Sequence, residues 1–440
     1  MRERVRLGAN YWKLWTASVV SNFGDGLATV AYPWLASAIT RDPIQIALIG
    51  VATRLPWLIF TLPAGVITDR ADRRKLIAAM DVIRFGITLG VAFFVTVVAD
   101  DLIDPTATNA QASGQTAHLA VLYVSALAFG FAEVLRDNAA QTLMPALVPK
   151  AQLERANGRL WGAEMVMNSF VGPPIGGLLI GLALALPFYV DAATFAVSAL
   201  LIASLSGAFR VARDTASPPR SFRSDIVEGV KWLWRHRLLR VMAIVLGVMN
   251  AMFAMALATY VLFVQEILGL EAASFGVLLS AGAVGGVVGS VLASRVSTRI
   301  GPGASLFTSI ALSGLTFAVT GITSSAVVVW AMFVISSFAA VLWNVITVSL
   351  RQSIIPDRLL GRVNSVYRFF AWGMMPIGSV IGGVIVAVVE PRSDRAAALR
   401  APFWAAAVIF GGLFVYVLPH LNTARINEAT SAAEIAEDQR

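Results

Sequence analysis

Long apolar stretches alternate with short polar breaks along almost the whole chain. A helix that crosses a bilayer needs about 20 apolar residues, and the pattern supplies such segments at Leu14 to Ile39, Ile44 to Ile67, Leu76 to Val98, Leu119 to Gln141, Leu160 to Leu186 and Pro187 to Phe209. A second series follows at Leu239 to Val264, Phe275 to Ala293, Ser305 to Ile322, Ala326 to Leu350, Val363 to Val389 and Pro402 to Leu418. The fold expected is therefore all-α and integral to a membrane, with about twelve helices in two pseudo-symmetric six-helix bundles. The first segment is too long for the apolar core of a signal peptide and lacks a small-residue cleavage pattern, so it is expected to remain as a helix. The domains expected are a first bundle over 1–210, a linker with an amphipathic helix over 211–237, a second bundle over 238–420 and a tail over 421–440.

The breaks separate by charge. One alternate set holds Arg2, Arg4, Arg6 and Lys13, then Arg70, Arg73, Arg74 and Lys75, then Lys150 and Arg155, the stretch Arg210 to Arg240, Arg295 and Arg299, and Arg358 and Arg362. The other set holds Asp100, Asp101, Asp104, Glu266 and Glu271, with one mixed break around Arg392 and Arg395. Basic residues concentrate in cytoplasmic loops, so both termini are expected in the cytoplasm of a cell with the chain in its inner membrane. Trp12, Trp15, Trp232 and Trp234 fall at the inner-leaflet boundaries, where amphipathic rings settle. In the linker, Ser217-Pro218-Pro219 precedes a capping-box-like start at Asp225 with Ile226, Val230 and Leu233 on one face. That pattern reads as a helix lying on the membrane surface or as a continuation of the seventh spanning helix.

Composition sharpens this picture. Of 440 residues, 57% are hydrophobic and 14% charged, against about 25% charged in soluble chains. The net charge of +8 is spread through loops rather than over one face, which argues against nucleic acid. There is no cysteine, and the three histidines, His118, His236 and His420, sit in breaks or segment ends. No metal and no cofactor are expected, and an integral-membrane enzyme lacks the paired catalytic groups it would need.

Two motifs and a repeat point further. Pro149, Leu153, Arg155 and Asn157 match Pro356, Leu360, Arg362 and Asn364 at one constant offset, each set placed before the fifth helix of its half, as a duplicated unit requires. The break after the second helix reads Gly65-x-x-x-Asp69-Arg70-x-Asp72-Arg73-Arg74-Lys75. It resembles the signature loop of the major facilitator superfamily, and with Pro63, Asp81 and Arg84 around it, and Asp72 where glycine is commoner, it resembles the macrolide-efflux and enterobactin-exporter branch. In the fifth helix Gly172-Pro173-Pro174-Ile175-Gly176-Gly177 resembles the antiporter motif of that superfamily, with Asn168 in place of its first glycine. The resemblance implies a hinge at Gly172, Pro173, Gly176 and Gly177. Gly65, Asp69, Arg70, Arg73, Arg136, Asp137 and Arg362 are the candidates for a cytoplasmic gate; opposite charge at equal membrane level predicts that Asp69 and Arg73 contact Glu133 or Asp137 and approach the start of the eleventh helix near Arg362 when the inner side is closed.

Ionisable residues at mid-membrane need a partner or an aqueous cavity. Asp25 lies eleven residues beyond Leu14, roughly 17 Å deep at 1.5 Å per residue, between Gly24 and Gly26. Arg54 lies roughly 15 Å from the other face and is a candidate partner. Asp25, Arg54 and Glu133 are the proton-coupling candidates, whereas Glu164 and Asp191 read as helix-end residues. In the second half, Met249, Asn250, Phe253, Asn344 and Trp372 are candidates for the substrate cavity. Met252 and Met255 extend the same adaptable wall, and Arg368 is a further polar residue there.

The function expected is a secondary transporter exporting a small amphipathic compound, whether drug, macrolide, siderophore or other natural product, by proton antiport with alternating access. A lipid transporter of the same superfamily, moving lysophospholipid, is the alternative. The partners expected are the bilayer, the substrate and protons, with the chain acting as a monomer.

Overall fold

A computed structural model of the chain describes residues 7–102, 114–149, 152–207, 209, 222–428 and 431, without the side chains of Leu62, Asp69, Asp357, Arg358, Leu360, Gly361 and residues 222–226. The charges at Arg2, Arg4, Arg6, Asp104 and Lys150, the Ser217-Pro218-Pro219 run and residues 432–440 lie outside the described residues, as do the side chains of Asp225 and Ile226.

The described chain is helical. The first series is α1 (Ala9–Ile39), α2 (Pro43–Arg70), α3 (Arg73–Val97), α4 (Gln115–Leu147), α5 (Leu153–Leu182) and α6 (Leu186–Ala203). A short helix α7 (Phe222–Arg235) precedes α8 (Arg237–Leu257), α9 (Ala272–Ile300), α10 (Pro302–Ile322), α11 (Ala326–Ile354), α12 (Asp357–Val389) and α13 (Arg395–Val417). Tight connections fix the helix starts. Asp42 accepts the N–H groups of Ile44 and Gln45 at 2.8 and 3.1 Å, with Pro43 at the first helical position, where its missing N–H is harmless. Asp72 caps α3 through Lys75 N–H at 3.1 Å, and Asp394 caps α13 through Ala397 N–H at 2.6 Å.

Eleven of these helices are long and apolar enough to cross a membrane. The exception among the long ones is α1, whose 31 residues include Asn10, Lys13, Ser18, Ser21, Asn22 and Asp25. Leu182, Leu200, Ile322, Val327 and Val408 are each 72–77% exposed. A water-soluble fold would not leave so many large apolar side chains outward; a lipid-facing surface does.

The chain divides into two compact units. The first takes Met1–Asp214 together with Val264–Ser280. In it α1 packs on α5 and α6, α2 on α4, and α3 on α4 and α6. An apolar cluster of Tyr11, Leu14, Ile77, Ala139, Leu143 and Ile202 closes its arginine-rich end. The second takes Thr215–Phe263 with Ala281–Arg440 and packs α12 on α8, and α10 on α11 and α13. The repeated set falls just before and at the start of α5 and α12.

The linker pattern resolves into a separate helix, because His236 is extended (φ −89°, ψ 97°) between α7 and α8. Of the apolar positions expected on one face, Leu233 is buried and Val230 exposed. Gly229 and Leu233 are buried while Val227, Val230 and Trp234 point outward. Gly229 permits this, since a Cβ there would stand 2.9 Å from the Arg362 carbonyl oxygen of α12. The Arg362 guanidinium pairs with Glu228 beside it.

Candidate functional site

The first unit holds a chain of buried ion pairs across α1, α3 and α4. Asp25 stands near the middle of α1, roughly 24 and 21 Å from its two ends at 1.5 Å per residue. Its carboxylate pairs with the Arg84 guanidinium of α3. Arg84 also donates to Ser21 Oγ at 3.1 Å and lies 3.6 Å from Asp81 Oδ1, one helical turn away. Its flat face rests 4.0 Å from the Phe195 ring centre and 4.7 Å from that of Phe129, where the ring quadrupoles favour a cation. Asp81 accepts from Ser198 Oγ at 2.6 Å and meets Arg136 Nε at 3.6 Å. Arg136 reaches Asp137 at 3.3 Å and Ser18 Oγ at 3.3 Å.

The order is thus Asp25, Arg84, Asp81, Arg136, Asp137: three carboxylates and two guanidiniums. With every member ionised the chain keeps one negative charge unbalanced. Arg84 and Asp81 are sealed, while Asp25 and Asp137 keep 15% and 33% of their side chains accessible. The ends of the relay are open and its middle is closed.

Further acids flank it. Glu133 accepts from Trp57 Nε1 at 3.3 Å, one helical turn before Arg136 and Asp137. Asp191, which its place near the start of α6 made a helix-end residue, is only 1% exposed. A Cβ on Gly24 would stand 2.0 Å from Asp191 Oδ1, so this glycine lets α1 pass over the acid. Among the described residues Asp191 Oδ2 has no hydrogen-bond partner.

The glycines of the α5 motif are points of helix contact. A Cβ on Gly172 would lie 2.6 Å from Gly26 Cα, and one on Gly176 3.0 Å from Leu27 Cα. Gly177 abuts the Ala272 carbonyl, where a Cβ would lie 2.2 Å away. Just before them, Val166–Val171 winds as a π-helix. Pro173 and Pro174 cannot donate to the preceding turn, and a wider turn absorbs that loss. Gly172→Ala should therefore destabilise the protein by about 1–3 kcal/mol, because backbone rather than a flexible side chain must move. Thermal unfolding in detergent, with Gly181→Ala as the control facing open space, measures it; equal melting points would show that the contact yields freely.

The sequence model of one protein family, described as Major Facilitator Superfamily, matches residues 14–379. The chain belongs to the major facilitator superfamily. It is a secondary transporter and not an enzyme. Among relatives, it is 28% identical over 415 residues to the multidrug efflux pump Tap of Mycobacterium tuberculosis, covering 92% of each chain. It is 24% identical over 382 residues to the enterobactin exporter EntS of Citrobacter koseri, covering 85% of each. The structure of a bacterial homologue of the iron transporter ferroportin shares the fold, with a TM-score of 0.67 at 16% identity over 92% of this chain and 98% of that one.

Within this facilitator the expected residues distribute as follows. Asp25 lies in the chain of ion pairs and Glu133 one helical turn before Arg136 and Asp137, and the guanidinium paired with Asp25 is that of Arg84. Arg136 and Asp137, expected at the cytoplasmic gate, stand in the buried ion-pair chain. Arg73 donates to the Thr142 carbonyl of α4 at 2.6 Å, below the level of Asp137. The Asp69 side chain is outside the described set, Gly65 faces open space and Arg70 is exposed.

In the second unit Met249, Met252 and Met255 are buried. Asn250 donates to the Ala371 carbonyl of α12 at 2.9 Å, a link between helices. Phe253 opens on a slit of about 10 Å³ shared with Phe317, Met332 and Phe333, room for about one water. Asn344, Arg368 and Trp372 are exposed, and Asn344 bonds its own helix at Ala340.

Proposed function

We propose that this facilitator exports small amphipathic compounds by proton antiport, alternating access between two six-helix halves with both termini in the cytoplasm. The observation that carries the reading is the relay from Asp25 to Asp137, a buried charge chain with one more acid than base. A proton neutralises it without a counter-ion. Protonation of Asp25 removes one of the two carboxylates that hold Arg84, so the guanidinium is left to Asp81, and a conformation that favours either arrangement binds or releases the proton. Burial favours the neutral carboxyl and a close guanidinium the ionised one. A movement that changes their balance at Asp25 converts a proton gradient into work.

The names of Tap and EntS support export of drugs or siderophores as the class of activity. Uptake into inside-out membrane vesicles, with a panel of labelled drugs and siderophores, tests the reading. Accumulation should follow an imposed proton gradient and fall to the protein-free level when a protonophore collapses it. Accumulation that persists after collapse would refute proton coupling.

A further inference from the structure

The second unit carries a cavity unconnected with the relay. It has a volume of about 340 Å³ and is lined by His236, Arg237, Leu238, Val241, His420, Arg425 and Glu428, within the range of small-molecule sites. It lies where α7 gives way to α8 and where the chain returns after α13, at the end of two spanning helices. Its two buried floor residues, Leu238 and Val241, are apolar, and its rim is charged.

The rim offers donors at His236, Arg237 and Arg425. His420 Nδ1 faces the Tyr416 carbonyl at 2.8 Å, so Nδ1 holds the proton and Nε2 accepts from Arg237 Nη2 at 3.4 Å. That bond orients the Arg237 guanidinium. His236 Nδ1 caps α8 by accepting Leu239 N–H at 3.4 Å, which leaves its Nε2–H to donate. Burial lowers the pKa of His236 and keeps it neutral, and the ring stacks on Trp232 at 5.4 Å. Among the described residues the guanidinium of Arg425 has no ion pair. Arg237 and Arg425 against Glu428 leave the arginine and carboxylate groups of the rim at +1.

We propose that this cavity binds the phosphodiester of an anionic membrane lipid. A net +1 rim matches a phosphodiester, which carries one negative charge, better than a phosphomonoester, which carries nearly two. The apolar floor suits the start of an acyl chain. The neighbouring α7 turns Val227, Val230 and Trp234 outward, the face of a helix that lies in the lipid interface. Basic pockets between spanning helices at that level recognise lipid headgroups. Glu428 adds an acceptor for a headgroup hydroxyl.

The test uses the full chain in nanodiscs of phosphatidylcholine containing a minority of phosphatidylglycerol, followed by native mass spectrometry of the lipid retained. Wild type should keep one phosphatidylglycerol. The Arg237→Gln, Arg425→Gln double variant should retain it about 30-fold less, because each interfacial arginine accounts for roughly a fivefold effect. Both residues are exposed, so the unfolding temperature in phosphatidylcholine alone should be unchanged. Arg299→Gln, at another exposed helix end, should leave retention at the wild-type level. Equal retention in the double variant, or an equal loss in Arg299→Gln, overturns the proposal. So does displacement of the lipid by millimolar inorganic phosphate, which would make this a site for soluble anions.

Discussion

Asp25→Asn should abolish gradient-driven accumulation while leaving substrate exchange intact. Asparagine keeps the shape and an oxygen for Arg84 but removes the charge, so the relay falls to two carboxylates and two guanidiniums and is neutral without a proton. A carrier that no longer distinguishes its states by proton binding only equilibrates its substrate, and the accumulation ratio should fall to about 1. Counterflow, in which unlabelled substrate inside drives labelled substrate in, should continue, since it needs movement of the carrier but no proton. Normal insertion and a wild-type melting point are expected because Arg84 retains Asp81 and Ser21. If the variant still accumulates substrate, and loses that ability with the gradient, the proton travels elsewhere. Glu133, beside Trp57 and one helical turn before Arg136, is then the next residue to replace.

The architecture was legible because a bilayer imposes one rule, continuous apolar helices of about 20 residues, and that rule is written in local sequence. Even α1, too polar to stand among the eleven apolar spans, was recoverable from its length and its place after a run of basic residues. Side-chain partners obey no such local rule. Depth alone put Asp25 level with Arg54, but which helix faces α1 is decided by packing, and α1 lies on α6 and α5, with α3 close enough to send Arg84 across. Arg84 had already stood out as part of the extended loop motif; its distance along α3 from that loop gave no hint that it ends at Asp25. Asp191 was missed for a related reason. Five residues from the start of α6, it looks interfacial, and only its contact with Gly24 shows that the helix start is itself buried. The flanking Gly24 and Gly26 were visible as a thinning of α1; what each makes room for, Asp191 and Gly172, was not. Asn250 shows the converse case, a polar residue at a plausible depth whose donor is already spent on a neighbouring helix.

Arg84→Gln should have the largest structural effect, because it removes the cation from between Asp25 and Asp81. Breaking a buried pair by deleting one partner costs about 3–5 kcal/mol, most of it from the uncompensated charge left behind. The variant should reach the membrane in low yield and unfold in detergent well below wild type. Arg84→Lys should recover part of the loss: an ammonium supplies the charge but cannot span Asp25, Asp81 and Ser21 at once, nor lie flat on Phe195 and Phe129. The deciding variant is Arg84→Gln combined with Asp25→Asn. If the lost stability is the cost of an unpaired carboxylate at Asp25, the second substitution should restore a substantial share of it, with a coupling energy of at least about 1 kcal/mol. It should not restore accumulation, since the proton site is gone. A double variant no more stable than Arg84→Gln alone would show that Arg84 matters through its packing against the two phenylalanines. Rescue of both stability and accumulation would show that the pair is structural and that neither residue carries the proton.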